Sequence, residues 1–135
     1  MNFNNKEKII NLLNINNDEF KYITDLNKRN LVFEAMIKDK IDEEIIENKC
    51  ILILQKSTLK IIKFSLDENN WTGNTLIYYK SIDLINTLIV NDTNYATIHV
   101  ASMKLLLEFK DKEVMHEFYK ELTYKTNTLK ERKFI

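Results

Sequence analysis

Proline is absent from the chain and glycine occurs once, at position 73. Without proline no turn can be fixed by a ring-locked φ, so turns have to be read from Asn, Asp and Ser. A single glycine excludes a glycine-rich phosphate loop and a Gly-x-Ser-x-Gly nucleophile elbow. One cysteine excludes an intramolecular disulfide. Cys50 opens an apolar run, so a buried, reduced thiol is expected and the compartment is read as cytoplasmic. The two histidines, His99 and His116, belong to no HExxH or Cys/His spacing, so no metal site is expected. Lys and Arg number 20 against 20 Asp and Glu. With no basic excess to hold a polyanion, nucleic acid is not an expected partner. No apolar stretch is long enough to span a bilayer, and MNFNNKEKIINLLN has no signal-peptide core, so a soluble protein without a transmembrane segment is expected.

What is present suffices for one folded domain. The 135 residues are 44% apolar and 30% charged, enough to bury a core without disulfides or metal. Asn, Ile and Lys are abundant, the bias expected when an AT-rich genome chooses the codons, which points to a low-GC bacterium or to a phage or mobile element within one.

The centre of the chain is Cys50 to Ser65, CILILQKSTLKIIKFS, two apolar arms around the polar break Gln55-Lys56-Ser57-Thr58. It reads as an antiparallel hairpin. Before it, residues 4 to 15 carry Ile9, Ile10, Leu12, Leu13 and Ile15 on one helical stripe. Asn16-Asn17-Asp18 then offers a break and an N-cap for a second helix bearing Phe20, Ile23 and Leu26. From Asn30, Phe33, Ile37, Ile41 and Ile45 fall four apart, which predicts a third helix, with strands over Leu31 to Ile37 or Glu43 to Asn48 as the rival reading.

After the hairpin, residues 66 to 74 read as a polar loop holding Trp71 and Gly73. Strands follow over Thr75 to Tyr79, Ile85 to Val90, Tyr95 to Ala101 and Lys104 to Phe109, with turns at 91–94 and at Ser102-Met103. Asp111 can cap a closing helix whose Val114, Met115, Phe118, Tyr119 and Leu122 form one broad stripe. Residues 126–135 read as a frayed tail. The expected organisation is a single domain: a helical segment over 1–47, an antiparallel sheet with a packing helix over 48–125, and the tail. This is an α+β fold.

Residues 43–125 resemble bacterial PH-like and GRAM domains. The resemblance rests on the strand, Lys-containing turn and strand of Cys50 to Ser65, on the connection Tyr79-Lys80-Ser81-Ile82-Asp83-Leu84-Ile85, and on Thr97 to Leu122. In that last stretch an alternating strand, a strand closing on Phe109 and a helix with an aromatic at Phe118 follow one another. It implies an antiparallel PH-like barrel or bent sheet with the C-terminal helix packed upon it, following the N-terminal helices read from the apolar spacing. It also implies a binding platform for peptides, proteins or lipid head groups.

Three lysines, Lys56, Lys60 and Lys63, lie in the hairpin where such domains hold clustered phosphates. Residues 49–80 carry five lysines against two acids, a weak basic patch in a neutral chain. Lysines on outward strand faces equally serve solubility and discourage edge pairing. The acidic run Asp42, Glu43, Glu44 and Glu47 lacks the spacing and glycine of a calcium loop and reads as a solvated helix face. Trp71 suits either an interface anchor or a cover for one end of a barrel. No catalytic residue and no cofactor are expected. The chain is therefore read as a non-enzymatic binding module for a protein partner. A small inhibitor or immunity protein blocking an enzyme, and a membrane-surface module reading anionic lipid, stand as alternatives.

Overall fold

The computed structural model describes residues 1–131. Two short helices lead. α1 (Lys6–Leu13) starts where the Asn5 side chain accepts the Lys8 N–H at 3.2 Å and stops at Asn14, whose φ of 54° is left-handed. α2 (Asn17–Lys28) opens on a capping box in which the Asn16 side chain accepts the Glu19 N–H at 2.8 Å and the Glu19 carboxylate accepts the Asn16 N–H. Asn30, with φ 59°, lets the chain leave the helix while Leu31 N–H still donates to the Leu26 carbonyl.

The third helix expected over residues 30–45 does not form, so the helical segment ends at Lys28 and not at 47. Its place is taken by two long strands, β1 (Val32–Ile41) and β2 (Glu44–Leu54). The error has a simple origin. A spacing of four is even, so Phe33, Ile37 and Ile41 share one face of a strand as readily as one stripe of a helix. Partners distant in sequence then decide, because β1 is paired on both sides. Asp42 and Glu43 form the turn with φ of 50° and 72°, the left-handed pair of a type I′ hairpin. The acidic run thus sits at a hairpin tip, not on a helix face, beside Ile45, which is 69% exposed.

β3 (Thr58–Phe64), β4 (Trp71–Tyr78), β5 (Ile82–Val90), β6 (Thr93–Val100) and β7 (Met103–Phe109) complete one antiparallel sheet. Its order is β4-β3-β2-β1-β7-β6-β5, and the terminal strands β4 and β5 do not pair with each other, so the sheet is open. Several boundaries differ from the sequence reading. Trp71 opens β4 and does not lie in a loop, the β6–β7 turn is Ala101-Ser102, and β5 begins at Ile82 after a single 3-10 turn at Tyr79–Ser81. The Asn91-Asp92 turn joins β5 to β6 as expected.

The apolar density of CILIL follows from burial on both faces. Leu52 and Leu54 pair with Ile61 and Leu59 on the inner face, while Ile51 pairs with Ile62 on the outer face. All of these are fully buried. α1 and α2 cover the outer face at β1–β4, and α3 (Lys112–Glu131) covers the inner face near β5, β6 and β7. Asp111 caps α3 as expected, its carboxylate accepting the Glu113 N–H at 2.8 Å. The helix does not fray at 126. It continues to Glu131 with Thr126 buried, and residues 132–135 of the expected tail lie outside the described residues.

Candidate functional site

The three hairpin lysines are separated by the pleat. Lys60 pairs with Ile53 on the outer face, and Lys63 pairs with Cys50 on the inner one. Each is engaged: Lys60 Nζ lies 3.5 Å from a Glu19 carboxylate oxygen and Lys63 Nζ 3.7 Å from Asp39. Lys56 is exposed in the turn between β2 and β3. The structure therefore does not bring them to one seat, and two of the three already face a carboxylate.

Trp71 is 40% exposed on the outer face of edge strand β4, its indole N–H donating to Asn74 Oδ1 at 3.0 Å. Leu76 and Tyr78, exposed on the same face by alternation, continue an uncharged strip along that edge. Trp71 thus neither folds back over the core nor stands alone.

A larger feature lies elsewhere, where β1 and β7 part company. They pair only over Met36–Lys38 with Leu106–Glu108. Because Ile41 and Glu44 flank a two-residue type I′ turn, odd-numbered residues of β1 direct their backbone groups to β2. The Leu54 N–H bond to the Leu31 carbonyl, 2.9 Å, agrees with that phase. Even-numbered residues therefore face β7. The pairing stops at Glu108 and β7 itself at Phe109, so no strand remains to meet Val32 and Glu34, whose N–H and C=O groups are left on an open edge inside the sheet.

A groove of about 790 Å³ runs along this edge to the first turns of α3. Its apolar surface includes Met1, Phe3, Val32, Phe33, Phe64 and Val114. Carboxylates lining it are Glu34, Glu68, Glu108, Asp111, Glu113 and Glu117, against the lysines Lys49 and Lys110. Three of these acids are occupied: Glu34 by the Met1 amine, Glu68 by Lys49, and Glu108 by Lys38 at 3.2 Å. Lys38 is held above its ordinary pKa chiefly by that hydrogen bond to Glu108. Among the described residues Glu113 and Glu117 have no ion-pair partner, and both are exposed. Asp111 already takes a backbone N–H at the start of α3, so the helix terminus is not an empty anion seat.

Two buried groups near the core bear on reactivity. Burial pushes the Cys50 thiol up from 9.0 to about 12, although Lys63 opposes the shift. Cys50 is buried, as expected from its place in an apolar run, and the raised thiol stays protonated at neutral pH. Tyr79 is fully buried, its hydroxyl donating to the Gln55 carbonyl at 2.7 Å, and burial raises its pKa as well. Among the described residues no group of three His, Cys, Asp or Glu side chains converges as a metal site, and no helix is long and apolar enough to cross a membrane. His116 is exposed on α3, and His99 stands on β6 opposite Lys104.

Sequence reasoning missed the groove entirely. Val114, which its spacing places on the broad stripe of α3, is 37% exposed at the groove, with Glu113 and Glu117 beside it. No known family model matches the chain, and no curated protein sequence matches it.

Proposed function

We propose that the protein is a non-enzymatic binding module for another protein, and that it binds through the groove between β1 and α3. The observation that carries this reading is the open backbone edge at Val32 and Glu34 lying in a groove of about 790 Å³ with both apolar and acidic walls. Grooves of that size bury ligand side chains effectively, and an unpaired strand edge is a template for extended chain. The resemblance of residues 43–125 to bacterial PH-like and GRAM domains supports a binding role by analogy. The lipid reading has less behind it, since Lys60 and Lys63 project to opposite faces and each meets a carboxylate.

Val114→Arg tests the site without touching the core, because Val114 is exposed on the groove wall. Affinity capture from source-cell lysate with the wild type should yield a stoichiometric protein that survives physiological salt, and Val114→Arg should lose most of it. Trp71→Ala should retain it. A partner held equally by Val114→Arg would rule out the groove, and one lost only with Trp71→Ala would move the site to the β4 edge.

A further inference from the structure

Within the groove, and resting on the reading just given, the geometry points to one class of occupant: an extended segment of a partner protein that alternates apolar residues with Lys or Arg and adds to β1 as a short strand. Three features carry this. The first is backbone demand. Val32 and Glu34 each present one N–H and one C=O to the groove, spaced two residues apart as an added strand requires. A helix or a compact ligand would leave those four groups unmatched, whereas a strand satisfies them directly.

Side-chain alternation is the second. A strand beside β1 sends successive side chains to opposite faces, so alternate residues can meet Val32 and Phe3 on the outer side while those between face α3, where Glu113 and Glu117 stand beside Val114. Charge is the third. Six carboxylates line the groove against Lys49, Lys110 and the Met1 amine in a chain that is neutral overall, and with Glu34, Glu68 and Glu108 already paired the acids left over lie at the start of α3. Glu113 and Glu117 sit four residues apart on the exposed side of α3 without cationic partners among the described residues. A like-charged strand would be repelled there, and an uncharged one would leave the excess unanswered. The open stretch Val32–Ala35 spans about 13 Å at ~3.3 Å per residue, so roughly four residues of the occupant pair with it.

The test is selection of a randomised library of peptides, roughly twelve residues long to overhang the open stretch, against the full chain, followed by amide NMR of the protein with the selected peptides. The expected result is enrichment of alternating apolar and basic sequences, with the Val32 and Glu34 amides shifting most. Glu113→Gln with Glu117→Gln should weaken those peptides by about fivefold at low salt and less at high salt. Peptides that move the β1 amides but show no basic preference would overturn the charge assignment and leave the groove as the binding site. If selected peptides move the β4 amides around Trp71 instead, or if none is enriched over an uncoated surface, both the occupant and the groove reading are overturned.

Discussion

Replacing Phe118 by Ala is expected to remove about 3–5 kcal/mol of folding stability, a large share of the roughly 5–15 kcal/mol that holds a domain of this size. Phe118 is fully buried on α3, and its ring lies 5.5 Å from that of Phe33 on β1 and 5.4 Å from that of Phe109 on β7. The first contact is edge-to-face, the geometry favoured by ring quadrupoles. These two partners belong to the strands that cease to pair beyond Glu108. Phe118 thus fills the wedge between them on the inner face and holds α3 against the gap. Truncation leaves a cavity that β1 and β7 cannot close without losing their remaining pairs. Urea denaturation followed by circular dichroism reads the effect. Phe118→Leu should cost much less than Phe118→Ala, and a loss below about 1 kcal/mol for the Ala variant would show that the wedge collapses without it.

The second large effect is alkaline. Burial raises the Cys50 thiol from 9.0 to about 12, so above pH 9 the unfolded chain releases a proton that the native state keeps. Stability is full below pH 9 and falls by about 1.4 kcal/mol per pH unit, on the order of 4 kcal/mol in all as the folded value is approached. Tyr79, also raised by burial, adds a second proton of the same sign above pH 10, its ordinary value. Lys38, raised by Glu108, acts in the same direction at higher pH still. Unfolding free energies measured between pH 8 and 10 should decline for the wild type and stay level for Cys50→Ala. An equal decline in both would place the cause elsewhere.

What could be read from sequence depended on how local the determinant was. α1, α2 and α3 announced themselves by a 3.6-residue stripe and by caps at Asn16 and Asp111, signals that need no distant partner. The Cys50 to Ser65 hairpin was legible because its arms are buried on both faces and so carry unbroken apolar runs. β1 was not, since Phe33, Ile37 and Ile41 satisfy both periods and only pairing to β2 and β7 chooses between them. The site was harder again. Its defining property is that β7 ends before β1 does, a register set between residues some seventy positions apart, and neither strand's own sequence records it. Glu113 and Glu117 look like any solvated helix face until α3 is laid beside that gap. The lysines of the hairpin were conspicuous in sequence, but the pleat sends Lys60 and Lys63 apart.

Whether the edge of β1 is open can be asked without any ligand, by amide hydrogen exchange of the free protein read residue by residue by NMR. The Val32 and Glu34 amides, which have no strand partner, should exchange far faster than those of Phe33 and Ala35, which bond to β2, and faster than Met36 and Lys38, which pair with β7. Protection of Val32 and Glu34 equal to that of their neighbours would mean that the edge is already filled, and the groove would no longer offer a strand to any partner.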